Sequence, residues 1–364
     1  MRKISIVVDS RTNWTKARSV CEAVSAHDDL TLSLAVCGPM SNLWREYLDG
    51  WTPDNVLDTY YGQQGSMLDQ SINLLTALRS YLNHTQPDIV IALTDRYETL
   101  AIAQAATLMN IHIAHIQGGE VTGNIDESIR HAVTKLSHIH FPATARSAKR
   151  IIKMGEDPKY VRTVGCPSID LLSRVDTTER LVEEPYILFL MHPVTTELEA
   201  VYEATRATIE GIRQAWTGKI ITIGPNHDAG YQEVWRAIKD EKYAIKNTNL
   251  IYSNVTNETF TLLMAHAEVM VGNSSAGIHE AGYFGTPVVD VGIRQQYRER
   301  GTNVNRKKPI LKSNAHPISM AVDMQLCHGK YEPEQIYGNG QAGMAIADIL
   351  ATIDLPPIQK KIVY

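Results

Sequence analysis

A chain of 364 residues is too long for one ordinary domain and comfortable as two, each large enough to bury its own core. Hydrophobic residues at 44% and charged residues at 21% exclude a disordered chain or a membrane protein, and the net charge of −5 leaves no basic stripe for nucleic acid. The apolar run Ile4 to Val8 is far too short for a signal-peptide core or a span, so the expected compartment is the cytoplasm.

Short β-branched runs alternate with helical patterns from the start, which predicts parallel sheets covered by helices on both faces. Ile4 to Val8 reads as a strand. Ala17, Val20, Cys21 and Val24 then recur at helical spacing, and Leu30 to Val36 is the next strand. Gln64 to Leu82 carries Leu74, Leu75, Leu78 and Leu82 on one helical face, and Pro87-Asp88 ends it before the strand Ile89 to Leu93. A helix from Tyr97 to Met109 leads to the strand Ile111 to Ile116. Ser128 to Leu136 is helical, His138 to Phe141 extended, Ala145 to Met154 helical, and Val161 to Val164 a last strand closed by Gly165.

The polar stretch Ser173 to Glu184, ending at Pro185, is the linker candidate. It divides the chain into domains 1–172 and 173–364. The second half restarts with Tyr186 to Leu190, a helix through Glu197 to Trp216, the strand Lys219 to Ile223 and a helix around Tyr231 to Ile238. Leu250 to Tyr252, Thr259 to His266, Val269 to Val271, Ala276 to Phe284 and Pro287 to Val291 follow. A final helix from Gln341 to Ala351 has the option of packing back on the first domain. The fold class is α/β, two doubly wound Rossmann-like halves facing a cleft.

Val269 to Glu280 reads as strand, glycine turn, two serines and helix, which points free backbone N–H groups at one spot suited to a phosphate. Ser274 and Ser275 add hydroxyl donors, Glu280 is one turn into the helix and suits ribose hydroxyls, and the loop Arg294 to Arg298 brings positive charge to the same side. An ordinary strand-to-helix turn would also need Gly and Ser there.

At the carboxyl end of Ile89 to Leu93 comes Asp95, placed for acid–base chemistry or as the N-cap of the following helix. The loop after Ile116 adds Glu120 and Asp126. Asp126 and Arg130, spaced i, i+4, also suit a surface ion pair. His192 ends the first strand of the second domain and is its best contact candidate. His138 and His140 share a strand face, but no zinc pattern accompanies them, so no metal is expected. The four cysteines are scattered and read as reduced, mostly buried thiols.

These motifs together resemble the UDP-N-acetylglucosamine 2-epimerases, specifically the hydrolysing branch that releases UDP and N-acetylmannosamine. The resemblance runs over essentially the whole length. It is carried by Asp95-Arg-Tyr-Glu98, the stretch His115 to His131 with Lys135-Leu-Ser-His138, Val164-Gly-Cys-Pro-Ser-Ile-Asp170, the His192-Pro193 strand end and Gly272-Asn-Ser-Ser-Ala-Gly277. It implies a glycosyltransferase-B type architecture and nucleotide contacts from Arg11, His192, Ser274, Ser275 and Glu280. Arg96, His131, Asn273 and Arg294 complete the candidate binding set.

Asp95 and Asp126 fall on the family's acid–base positions, and the implied route is elimination of UDP to a glycal followed by hydration, with no cofactor. The resemblance also implies a homo-oligomer, a dimer or tetramer, acting on UDP-N-acetylglucosamine. Three positions depart from the family pattern. Gln117 stands where many relatives carry a catalytic glutamate, and an amide cannot act as a base. Either Glu120 takes that role, the favoured reading, or Gln117 orients substrate while Asp95 and Asp126 handle the protons. Asp9-Ser10-Arg11 replaces a glycine-threonine-arginine start, and Tyr297 replaces a glycine.

Overall fold

Fully buried parallel strands have apolar side chains on both faces, so they read as continuous β-branched runs rather than alternations. Ile4, Ile6, Val8, Ile89, Ile91 and Leu93 enter one apolar cluster, while their neighbours Val7, Val90 and Ala92 enter another on the opposite face. The computed structural model describes residues 1–58, 66–122, 125–194, 197–226, 229–240, 250–305 and 314–363.

The chain divides into two compact units, the first made of Met1–Val121, Ile125–Ser173 and Tyr337–Tyr364 and the second of the remainder. The second unit therefore stops at Ile336 instead of running to the C-terminus.

The first unit holds strands β1 (Arg2–Val8), β2 (Leu30–Val36), β3 (Asn55–Val56), β4 (Ile89–Leu93), β5 (His112–Ile116) and β6 (Ile139–Phe141), ordered β3-β2-β1-β4-β5-β6 and parallel throughout. The second holds β7 (Tyr186–Leu190), β8 (Lys219–Ile223), β9 (Leu250–Tyr252), β10 (Val269–Gly272) and β11 (Val288–Asp290), ordered β11-β10-β7-β8-β9 and again parallel. Each is a doubly wound sheet whose strand order reverses once, between β1 and β4 and between β7 and β10. Ligands bind such sheets beyond the carboxyl ends of the strands at that reversal.

Several sequence expectations are corrected. Val161 to Val164 is not a strand; only Val161 bridges, to His140. The helix expected from Gln64 starts at Met67 behind a Ser66/Asp69 capping box, and positions 64 and 65 lie outside the described residues. Ala276 to Phe284 is a single α-turn, Ala276–His279, followed by a 3-10 turn, Ala281–Phe284. Three α-helices were not anticipated among the described residues, Met40–Tyr47, Pro167–Leu172 and Ala315–His328. The last carries Pro317 in its first turn, where a missing N–H costs nothing because that group has no intrahelical partner.

The last helix, Ala342–Thr352, packs on the first helix, Arg11–Ala26. The backbone N–H groups of Ala342 and Gly343 donate to the Asp170 carboxylate at 2.9 and 2.6 Å, which caps that helix from a distant point in the sequence. Asp170 of the Gly-Cys-Pro-Ser-Ile-Asp motif is thereby an anchor of the fold.

Candidate active site

In the first unit, β4 and β5 leave the sheet side by side through two residues in the left-handed region, Thr94 at φ 59° and Gln117 at φ 62°. For a β-branched threonine this conformation is strained and needs the surroundings to hold it. They do. The Thr94 hydroxyl donates to Asn13 Oδ1 at 2.9 Å, and its carbonyl accepts from His115 Nε2 at 2.8 Å. With Nε2 donating, His115 Nδ1 is the acceptor for the Thr134 hydroxyl at 3.2 Å. Burial pushes the His115 pKa down to about 3, so the ring is neutral and this tautomer is fixed. Gly118 is required beside it, since a Cβ there would stand 2.8 Å from His115 Nδ1.

The strained turn aims Asp95. Its carboxylate accepts from Arg130 Nε at 3.1 Å and also from Arg130 Nη2, while Arg130 Nη1 donates to the Glu120 carbonyl at 3.0 Å. The Arg130 side chain is 1% exposed and that of Asp95 18%. Arg130 is therefore a buried cation gathering the loop after β4, the loop after β5 and, through Glu127 at 3.8 Å, its own helix, Ile125–Leu136. Asp95 does not cap the next helix, whose N-cap is Arg96 without a side-chain bond. Asp126 and Glu127 occupy the first turn of the helix that carries Arg130, where negative charge is favoured. His131 Nε2 meets Glu127 Oε1 at 3.0 Å.

Arg96 reaches two buried carboxylates. It donates to Glu98 at 3.2 and 3.3 Å and lies 3.7 Å from Asp9. Burial, then the nearby Glu98 charge, push the Asp9 pKa up to about 7, partly offset by Arg96 and by bonds from Ser10 and Asn13. Asn13 Nδ2 spans both Asp9 oxygens at 2.9 and 3.0 Å. Arg96 thus links Glu98 and Asp9 at the β1–β4 reversal. Arg11 begins the first helix 5.9 Å over the Tyr47 ring, and burial lowers its pKa.

In the second unit, Gly272 sits at φ 143°, and a Cβ there would lie 1.9 Å from the Leu190 carbonyl oxygen. No other residue fits where β10 passes β7. The next residue, Asn273, accepts from His192 N–H at 2.7 Å and donates to the His192 carbonyl at 2.8 Å. Its own carbonyl accepts from Arg294 at 3.2 Å and from Gln295 Nε2 at 3.0 Å. Asn273, 1% exposed, ties the His192 loop to the Arg294 loop. His192 Nδ1 accepts from Asn226 N–H at 3.1 Å, which leaves the proton on Nε2.

A small open recess lies at the β7–β10 reversal, lined by Met191, His192, Glu197, Asn273, Val291 and Gly292. Because the helix after Asn273 is one turn long, its dipole is a weaker anion site than the sequence suggests. Ser274 Oγ accepts from Ala276 N–H at 3.3 Å, and Glu280 ends the short helix instead of lying within a long one.

His138 and His140 are structural. His138 accepts from Ile113 N–H at 3.1 Å and donates to the Ile358 carbonyl at 3.0 Å; His140 meets Glu156 at 3.2 Å. Among the described residues no group of three or more His, Cys, Asp or Glu is placed to hold a metal ion, and no helix is long and apolar enough to cross a membrane.

A family model described as UDP-N-acetylglucosamine 2-epimerase matches residues 22–351. The chain belongs to the UDP-N-acetylglucosamine 2-epimerase family. It is 30% identical to a UDP-N-acetylglucosamine 2-epimerase of Neisseria meningitidis serogroup B, over 98% of this chain and 96% of that one. It is 31% identical to a UDP-N,N'-diacetylbacillosamine 2-epimerase (hydrolyzing) of Legionella pneumophila, over 98% and 97%. In fold it is similar to the crystal structure of the UDP-GlcNAc 2-epimerase from Neisseria meningitidis bound to UDP-GlcNAc, with a TM-score of 0.80 at 17% identity, covering 96% of this chain and 99% of that one. As a 2-epimerase family member the chain is an enzyme of nucleotide-sugar chemistry.

The epimerase family motifs around Asp95 include residues whose work the sequence did not disclose. His115, Thr94 and Asn13 hold the turn that presents Asp95, and Gln295 braces Asn273. The Asp9-to-Asn13 spacing at a helix start was a usable signal; a strand histidine was not.

Proposed function

We propose that this enzyme is a hydrolysing UDP-N-acetylglucosamine 2-epimerase. The observation that carries the reading is Asp95 and the Glu120 loop held on one buried arginine, Arg130, with Asp126 opening the same helix. Two acids in strand-end loops and a third opening the helix that follows suit proton removal and return at a sugar carbon, work that nucleotide binding alone does not need.

The C2 hydrogen of the bound sugar is not acidic, so the C1–O bond to UDP breaks as a carboxylate takes the C2 proton. UDP leaves with the bonding pair and a C1–C2 double bond forms. Water then adds its oxygen to C1, and a proton returns to C2 from the other face, giving N-acetylmannosamine. The net change is redox-neutral. Asp95 and Asp126 are the proton-handling pair, Glu120 stands in for the base missing at Gln117, and acid–base groups of this kind contribute ~10²–10⁴-fold each. His192, Ser274, Ser275, Glu280, Arg294 and Arg11 hold the nucleotide. The enzyme works in the cytoplasm as a homodimer or homotetramer.

A second reading is favoured by the hydrolysing Legionella relative, whose name specifies a diacetamido sugar. Incubation with UDP-N-acetylglucosamine, or with UDP-N,N'-diacetylbacillosamine, in D₂O followed by proton NMR decides between them. The expected products are free UDP and the 2-epimeric sugar carrying deuterium at C2. A product still linked to UDP would replace the hydrolysing reading with the non-hydrolysing one. Asp95→Asn and Asp126→Asn should abolish turnover and spare UDP binding; full activity in both would overturn the assignment.

A further inference from the structure

The geometry points to Gln117 as a fixed hydrogen-bond acceptor for a donor group on the sugar, a specificity contact standing where a base is absent. The inference rests on the epimerase reading above and adds a substrate contact to it.

Gln117 follows β5 directly, is 3% exposed, and is held at φ 62° by its N–H donating to the Phe141 carbonyl at 2.9 Å. Its Nε2 donates to Cys166 Sγ at 3.0 Å. Cys166 is itself pinned, with Sγ 3.0 Å from Ser168 Oγ and its N–H donating to the Tyr337 carbonyl at 2.6 Å. The amide plane is therefore fixed from one end. At the other end Oε1 is buried and has no hydrogen-bond partner among the described residues.

The large majority of buried side-chain polar atoms are satisfied in folded proteins, so an orphan carbonyl oxygen calls for an explanation. This one stands at the carboxyl end of β5, beside the β4 end that presents Asp95, where open α/β sheets receive ligands. An amide can neither take nor give a catalytic proton at neutral pH, but its oxygen accepts strongly when desolvated. The matching donor is neutral, a hydroxyl or the acetamido N–H of the sugar. Such a contact discriminates sharply, because a substrate lacking the donor leaves the oxygen unpaired.

The test compares wild type, Gln117→Leu and Gln117→Glu on UDP-N-acetylglucosamine and on four analogues that each lack one donor: the 3-deoxy, 4-deoxy and 6-deoxy sugars and the 2-O-acetyl ester. With the parent, Gln117→Leu should raise KM roughly 10-fold and leave kcat within about 3-fold, since the contact serves substrate and transition state alike. With the one analogue that lacks the bonded donor, wild type and Gln117→Leu should become equal, which identifies the source. Gln117→Glu, which keeps an acceptor, should retain most of the discrimination.

An equal loss on all five substrates, or a kcat fall above about 100-fold at unchanged KM, would overturn the inference. So would loss of discrimination in Gln117→Glu, which would mean that the free end of the amide donates. If the wild type releases no UDP from the parent, the functional reading fails instead. The same comparison is then read from nucleotide-sugar Kd values by calorimetry, with UDP alone as the reference.

Discussion

Arg130→Met removes the cation that organises the candidate active site. Breaking an ion pair buried on both sides costs about 3–5 kcal/mol. Here Arg130 is 1% exposed but Asp95 is 18% exposed, so water reaches the orphaned carboxylate and the cost falls to the lower end. Adding the loss of the donor to the Glu120 carbonyl gives about 4 kcal/mol. Asp95→Asn keeps an acceptor of the same shape and should cost only about 1–2 kcal/mol, while Arg130 retains Glu120 and Glu127.

Because Arg130 and Asp95 share two charge-assisted bonds, the double variant should be less destabilised than the sum, with a coupling of about 1–2 kcal/mol. A chain of two compact units need not melt in one step, so the measurement is local: hydrogen exchange of the β4 and β5 amides in wild type, both single variants and the double. A coupling below about 0.5 kcal/mol would falsify the view that the pair holds these loops together.

Gly272→Ala should destabilise the second unit by on the order of 3 kcal/mol and abolish UDP binding, since φ 143° is a glycine conformation and the methyl meets the Leu190 carbonyl; unchanged calorimetric binding of UDP counts against it. Asn273→Ala strands both backbone groups of His192 and should cost about 2–3 kcal/mol with weaker UDP binding, checked by the same titration. Glu156 has a pH-dependent role. Burial raises its pKa, but bonds from His140, Lys135 and Lys360 more than reverse this and bring it down to about 2. A depressed carboxylate pKa contributes stability above its unfolded value near 4.5 and loses it as pH falls toward about 2. Burial also lowers the Lys360 pKa and offsets part of the gain, so Glu156→Gln should cost roughly 2–3 kcal/mol at pH 7. The gap from wild type should close by about pH 2 in a Tm series; a gap that stays constant refutes the linkage.

Much of the fold was legible because buried parallel strands are apolar runs: Leu30 to Val36, Ile89 to Leu93, Tyr186 to Leu190 and Lys219 to Ile223 coincide with β2, β4, β7 and β8. Ala315–His328 was hidden by Pro317, and the Ala276 helix was overextended because the chain tightens from an α-turn to a 3-10 turn at Glu280, a change that leaves no mark in the residue pattern. In the candidate site, the strand-end rule located Asp95. Its partner was not visible, because i, i+4 spacing draws attention to Asp126 and Arg130, whereas the guanidinium bonds reach 35 residues back. Tertiary partners of this kind, His115 with Thr94 and Asn273 with His192, leave no periodic trace.

The first unit is closed by the last residues of the chain. Asp170 waits for Ala342 and Gly343, and Glu156 for Lys360, with the whole second unit intervening. During synthesis, then, the strands of the first sheet are made well before the segment that completes it, with the residues of the second unit coming between. Cutting the chain before Ala342 would therefore take away the partners of both Asp170 and Glu156, so the sheet that presents Asp95 depends on a segment translated after the second unit.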